Sequence, residues 1–228
     1  AAAIFHIINH ATFKAALFMI AGIIDHESGT RDLRKLSGLW QLLPFTATLT
    51  MITAASMAGV PLTNGFLSKE MFFTELVANL SGPVLWVSAI VATLAGIFAV
   101  AYSIRLVHGV FFDGPIGKNV PNKEAHEPPF GMRAPATLLA VLCILVGLMP
   151  ALLVEHIVNS TTRASTQLLQ FEGTHLAIWH GFNLPLLMSA IALLGGIIFY
   201  FSLAKGGKIR EIDLDPHLGQ FQGKLLFQ

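Results

Sequence analysis

Charged side chains are scarce in this sequence. Asp, Glu, Lys and Arg make up only 12% of the 228 residues, whereas ordinary soluble domains carry about 25%. Hydrophobic residues reach 54%, and the mean hydropathy is +0.67. The formal net charge is only +1, so no global field favours nucleic acid or a strongly acidic partner. The composition indicates an integral membrane protein that lies in the lipid bilayer.

Cysteine is almost absent, and so are the sequence features usually found at a protein's N-terminus. The lone Cys143 lies in an apolar run, where we interpret it as a packing residue, and an internal disulfide is excluded. The chain begins at Ala1 without an initiator Met, a basic leader or a signal-peptide cleavage site. We therefore expect a piece of a longer protein.

Long apolar runs define the fold class. A transmembrane helix needs about 20 predominantly apolar residues, and five regions meet this criterion. The sequence predicts an all-α, polytopic transmembrane helix bundle with about five spans, at 1–24, 42–80, 83–107, 134–154 and 183–204.

The second region is too long for one continuous helix. An unbroken helix over 42–80 would measure about 58 Å, whereas the bilayer core is about 30 Å thick. Its centre contains Pro61, which removes a backbone donor, and Gly59, Asn64 and Gly65, which tolerate non-helical angles. We predict a single crossing made of two half-helices, an arrangement typical of transporters.

Basic residues fall on alternate loops, which predicts the topology because cytoplasmic loops collect Lys and Arg. The intervening loops hold only Arg163. With five crossings, this pattern predicts a cytoplasmic C-terminal end. The basic loop residues are Arg31, Arg34, Lys35, Lys118, Lys123, Arg133, Lys205, Lys208 and Arg210.

Three titratable residues recur every fourth position in the first span. His6, His10 and Lys14, here called the His–Lys ladder, would share one helix face with a rise of about 6 Å per step. A Lys in hydrocarbon costs about 2.5–3.5 kcal/mol, which favours a functional, cavity-facing position. Because His has an ordinary pKa of about 6.5, the ladder predicts a proton relay.

Two other interpretations of the ladder stay open. His6 and His10 could simply hydrogen-bond neighbouring helices while Lys14 snorkels to an interface, although Lys14 lies about 15 Å from the polar loop. A metal site needs more ligands, and the zinc-protease pattern requires Glu where this chain has Ile7. The sequence predicts no metal and no cofactor.

Lys69 and Glu70 directly follow the predicted break, close to mid-membrane. Unwound backbone can stabilise an ammonium that burial destabilises, so protonation of Lys69 becomes sensitive to small rearrangements. We expect both residues to belong to the relay, with Lys69 as a switch. The alternatives are a static ion pair of Lys69 with Glu70 or Glu75, or a Glu70 that faces another subunit.

Several of these segments together resemble one family of transporters. The sequence HIINHATFKAALF at 6–18, followed by GVP at 59–61 and GFLSKE at 65–70, resembles the proton-translocating antiporter-like family. This family includes large membrane subunits of respiratory complex I and of multisubunit Mrp-type Na⁺/H⁺ antiporters. The loop at 25–39 is most similar to the large A subunits of the Mrp type, and the specific part of the resemblance covers about 1–80.

The resemblance implies an inverted-repeat fold of two five-helix half-channels. Residues 1–110 would form the end of the second half-channel, and 111–228 additional helices and a cytoplasmic C-terminal segment. The His–Lys ladder would belong to the central polar axis, and Lys69 would be the lysine in the broken helix that closes the outlet. The first half-channel is absent from this sequence.

The expected function is that of a subunit in a multisubunit monovalent cation/proton antiporter of the bacterial inner membrane. Its partners would be other membrane subunits of the same complex, protons, Na⁺ and lipid, and it would be a secondary transporter subunit rather than an enzyme. The main alternative is a proton-pumping membrane subunit of a complex I type NADH:quinone oxidoreductase. The third possibility is a purely structural membrane subunit, for which the buried basic residues would be replaceable.

Overall fold

A computed structural model describes residues 1–114, 120–122, 124–166, 176 and 181–205. All regular structure within these residues is helical, as predicted for the fold class. A 3-10 turn at Leu39–Gln41 precedes the second helix, and a π-helical turn at His108–Phe112 follows the fourth. The helices are α1 (Ala2–Ser28), α2 (Pro44–Ala58), α3 (Asn64–Asn79), α4 (Gly82–Val107), α5 (Phe130–Leu148), α6 (Pro150–Leu153), α7 (Glu155–Thr166) and α8 (Leu184–Lys205).

Within the described residues, four stretches are long and apolar enough to cross a membrane by themselves. They are α1, α4 with its π-helical turn, α5, and α8. The predicted fifth crossing corresponds to α2 and α3, which have 15 and 16 residues and are each shorter than a full span. The predicted break in 42–80 is therefore confirmed.

The break is a tight turn rather than an open loop. Gly59 ends α2 with a left-handed φ of +79°, and Leu62 in the linker has a φ of +69°. The first turn of α3 packs directly against the last turn of α2, since a Cβ on Gly65 would lie 1.8 Å from the carbonyl oxygen of Ser56. On the other side, the missing side chain of Gly147 leaves room for the linker, because a Cβ on this glycine would lie 2.3 Å from the Leu62 carbonyl oxygen.

The broken pair α2 and α3 occupies the centre of the bundle. It packs against α1 and α5 on one side and against α4 and α8 on the other. Small residues bring α4 and α8 together, as is usual for membrane helices: Gly196 meets Val100, and Gly96 meets Ala192. This arrangement places both half-helices within reach of side chains from α1 and α4.

Three predicted boundaries differ from the structure by four or more residues, and one of them is the start of the fourth span, at Phe130 instead of Ala134. The first span continues past Ile24 to Ser28, because Gly29 provides the left-handed cap only there and the buried Glu27 has partners outside the helix. The fourth span, predicted to reach Val154, ends at Leu148, since Pro150 starts a separate short helix.

The predicted topology stays a prediction. Lys118, Lys123, Lys208 and Arg210 lie outside the described residues, as does the side chain of Lys205.

Candidate functional site

A cavity of about 350 Å³ opens between α1, the broken pair and α4. Its wall is mostly apolar, with Ala and Phe side chains prominent. All three ladder residues and Lys69 line it, so four of the five predicted site residues share one space. The polar side chains in the wall are His6, His10, Lys14, Ser56, Ser68, Lys69 and Tyr102.

The ladder has the geometry expected from its spacing. The ring centroids of His6 and His10 are 5.8 Å apart. The Lys14 ammonium lies 5.8 Å from the centroid of the Tyr102 ring on α4, a distance at which the π-face attracts a cation. Lys14 thus contacts a neighbouring helix, α4.

Lys69 projects from the first turns of α3 into the same cavity. Its Nζ is buried and has no hydrogen-bond partner among the described residues, so it forms no close ion pair there with Glu70 or Glu75. The Phe73 ring centroid lies 5.9 Å away. A Cβ on Gly59 would be 3.7 Å from Nζ, which places the ammonium beside the C-terminal end of α2, where the helix dipole favours positive charge.

Glu70 points to a different side of α3 from Lys69. It is 6% exposed, and its Oε2 accepts a hydrogen bond of 2.9 Å from the Ser189 hydroxyl on α8. Adjacent residues on a helix face different directions, which is why Glu70 does not line the cavity with Lys69. Glu70 therefore contacts a helix of its own chain, α8.

A chain of hydrogen bonds links the ladder to the helix break. His6 Nδ1 lies 3.3 Å from Ser68 Oγ, and Ser68 Oγ donates to the Gly65 carbonyl at 3.2 Å. The Gly65 amide in turn donates to Ser56 Oγ at 3.3 Å, and the Ser56 hydroxyl donates to Asn64 Oδ1.

Neither serine was predicted to be a site residue. Ser68 directly precedes Lys69 in the GFLSKE segment, which was a usable signal. Ser56 gave none, because its contact with Gly65 depends on the conformation of the turn.

A metal site finds no support in the described residues. No group of three or more His, Cys, Asp or Glu side chains among them could hold a metal ion. Of the described residues in the cavity wall, only His6 and His10 are of these types.

Comparison with known proteins identifies the family. The chain is 50% identical over 231 residues to the A/B subunit of a probable K(+)/H(+) antiporter of Rhizobium meliloti (strain 1021), covering 100% of this chain. It is 41% identical over 214 residues to the A subunit of the Na(+)/H(+) antiporter of Bacillus subtilis (strain 168), covering 90% of this chain. A family model described as NADH:quinone oxidoreductase/Mrp antiporter, TM matches residues 1–98. The matched segment, residues 1–98, belongs to this family.

A solved structure extends the likeness to the fold. The Mrp complex from Dietzia sp. DQ12-45-1b contains a chain that is 35% identical and superposes with a TM-score of 0.76, covering 94% of this chain and 22% of that one. The resemblance predicted from the sequence is thereby confirmed, as is a multi-pass plasma-membrane location. The chain spans 22% and 27% of the lengths of the Rhizobium and Bacillus relatives.

Proposed function

We propose that this chain is part of the A subunit of a multisubunit monovalent cation/proton antiporter. One observation carries the proposal: the Lys69 ammonium, which has no hydrogen-bond partner among the described residues, lies in the same cavity as His6, His10 and Lys14. Relatives named as antiporter subunits support a transporter subunit rather than an enzyme. Residues 1–110 would form the end of the second half-channel, and 111–228 the additional helices and the cytoplasmic C-terminal segment.

The ladder and Lys69 would pass protons through water held in the cavity, which is large enough for several molecules. Imidazole accepts and releases protons near neutral pH, so His6 and His10 suit the middle of the relay. Lys69 suits the gate, because within the described part of the chain its ammonium is held by the dipole of α2 and the Phe73 ring rather than by an ion pair.

Electrostatic repulsion would couple protons to the other cation. At a separation of 4 Å and an effective dielectric constant of about 20, two positive charges repel by about 4 kcal/mol. A metal cation that enters beside Lys69 would therefore favour loss of its proton. Glu70, on a neighbouring face of α3, would be the fixed negative charge that favours the protonated Lys69.

The partners would be the other membrane subunits of the same complex, with protons and Na⁺ as the transported ions. K⁺ is a second candidate ion, because the Rhizobium relative carries K(+)/H(+) in its name. The alternative from another class is a proton-pumping subunit of the complex I type, since the family model includes both kinds of protein.

The test uses inverted membrane vesicles that contain the full-length subunit with its partner subunits. We expect Na⁺ or K⁺ to drive proton movement without NADH, and Lys69→Ala and Lys69→Met to abolish it while assembly persists. Lys69→Met keeps the side-chain volume, so equal loss in both variants assigns the effect to charge. Lys35→Ala, on the exposed loop after α1, is the matched control and should transport normally.

The other outcomes separate the alternatives. Proton movement that occurs only with NADH would favour the complex I type of subunit. Normal exchange by assembled Lys69→Ala complexes would remove Lys69 from the mechanism and favour a purely structural role.

A further inference from the structure

The contact between His6 and Ser68 is more specific than a packing contact, because the Ser68 hydroxyl donates its proton to another acceptor. A serine hydroxyl has one proton to donate and two lone pairs to accept with. Ser68 is 1% exposed, and its Oγ donates to the Gly65 carbonyl at 3.2 Å. With its proton directed to the Gly65 carbonyl, Ser68 offers only lone pairs to His6 Nδ1, which lies 3.3 Å away.

We propose that Ser68 is a positioning residue that holds the His6 imidazole in the tautomer with its proton on Nδ1. In neutral imidazole only one nitrogen carries a proton, and a hydrogen bond at one nitrogen decides the state of the other. Nε2 is then left unprotonated. Among the described residues His6 makes no further hydrogen bond, so Nε2 is the atom that remains for proton exchange in the cavity.

This arrangement has a directional consequence for the proposed relay, on which it rests. A proton that arrives at Nε2 can leave only from Nε2, because the path from Nδ1 runs through Ser68 to the Gly65 carbonyl, which cannot carry a proton onward. His6 thus exchanges protons with the cavity and not with the helix break. The titratable groups that share this cavity with His6 are His10 and Lys14 on its own helix, Lys69 on α3 and Tyr102 on α4.

The contact also joins α1, which carries the ladder, to α3, which carries Lys69. Ser68 lies one residue before Lys69, and His6 lies one turn from His10. A change in the protonation of His6 therefore acts directly on the half-helix that carries the gate lysine.

The test is ¹⁵N solid-state NMR of histidine-labelled full-length protein, assembled with its partners in lipid membranes. The pH is set to about 8.5, about two units above the ordinary His pKa, and signals lost in His6→Gln identify His6. We expect native His6 to carry its proton on Nδ1. Ser68→Ala should lower the ratio of the Nδ1–H to the Nε2–H form about fivefold, as expected for the loss of one hydrogen bond.

Two further variants make the result specific. Ser68→Thr keeps the hydroxyl and should restore the native tautomer. Ser103→Ala is the matched control, since Ser103 is also a buried serine bonded within its own helix, to the Ala99 carbonyl at 2.6 Å, and it should leave His6 unchanged. If Ser68→Ala fails to assemble, the tautomer of His6 in the native protein alone decides whether the assignment of Ser68 holds.

The outcomes are distinct from those that test antiport. A native His6 with its proton on Nε2, or an unchanged ratio in Ser68→Ala, would overturn the assignment of Ser68. A tautomer change accompanied by slower cation-driven proton movement would support both Ser68 and the relay. A tautomer change with unaltered transport would support the positioning role while removing His6 from the relay.

Discussion

The Lys69 ammonium lies so close to Gly96 that a Cβ on this glycine would be 3.2 Å from Nζ. The same Cβ would be 2.9 Å from the Cβ of Ala192 on α8. Gly96 therefore lets α4 approach two neighbours at once, the Lys69 side chain and α8. Space for the ammonium and close packing of α4 on α8 depend on the same missing side chain.

We expect Gly96→Ala to impair both stability and transport. Overpacking of a well-packed site costs about 1–3 kcal/mol, and the added methyl group would push Lys69 out of its position. Thermal unfolding of the assembled complex and cation-driven proton movement in vesicles measure the two effects. Gly131→Ala is the control, because nothing lies within 4 Å of the added Cβ at Gly131. A Gly96→Ala complex with native melting and transport would contradict this account.

The ladder makes a separate prediction about pH. His10 lies between His6 and Lys14 on α1, and its ring contacts those of His6 and Phe13 at centroid distances of 5.8 and 5.4 Å. His10→Ala should slow exchange and change its pH dependence, because an imidazole in the relay can accept and release protons near neutral pH. Exchange rates measured across pH 6 to 9 test this, with His156→Ala on the exposed side of α7 as control. An unchanged pH profile would favour a packing role for His10.

Much of this site was predictable because periodicity decides which residues share a helix face. The spacing of His6, His10 and Lys14 placed them together, and Pro61 indicated the break before Lys69. The partners of Glu70 were not predictable, since Ser189 lies 119 residues away in the sequence. Such contacts depend on how helices pack rather than on local sequence.

The fold was predictable to a similar extent and for the same reason. Apolar runs long enough to span a bilayer predicted the approximate positions of α1, α4, α5 and α8 and of the broken pair α2 and α3, but not the short helices α6 and α7. The predicted end of α1 was wrong, because charged residues were taken to mark the membrane boundary. Glu27 is 5% exposed and accepts hydrogen bonds from the rings of His26 and His126, so its charge does not require the helix to end there.

Glu127 caps the start of α2 from a distant loop. Its carboxylate accepts hydrogen bonds from the Thr46 amide at 2.9 Å and the Thr46 hydroxyl at 2.8 Å, near a helix start where no side chain of α2 itself provides a cap. We expect Glu127→Ala to destabilise the protein by about 1–2 kcal/mol. Glu127→Gln, which keeps one acceptor, should have a smaller effect.

Thermal unfolding of the assembled complex measures this difference. Glu124→Ala changes an exposed carboxylate three residues earlier in the same loop and is the matched control. Equal melting temperatures for Glu127→Ala and Glu124→Ala would show that the cap contributes nothing.

The same loop contains a pH-sensitive contact with the end of α1. His126 Nδ1 lies 3.0 Å from Glu27 Oε2, and Asn122 ties the loop to α1 through bonds to the Glu27 and Ser28 carbonyls. A hydrogen bond with its own backbone, together with the charge and hydrogen bond of Glu27, raises the pKa of His126 above 6.5. The protonated ring is therefore favoured in the docked loop.

Docking of this loop should consequently weaken as the pH rises. A raised pKa in the folded state means that the added stability is fully present below about pH 6.5 and is lost as the pH rises through the raised value. Hydrogen-exchange protection factors for the Asn122 amide, which donates to the Ser28 carbonyl at 3.1 Å, should fall over this interval. Glu27→Gln and His126→Gln should abolish the dependence, whereas His26→Ala should preserve it, because the bond between His126 and Glu27 remains. Protection that is independent of pH in the native protein would show that His126 does not hold the loop.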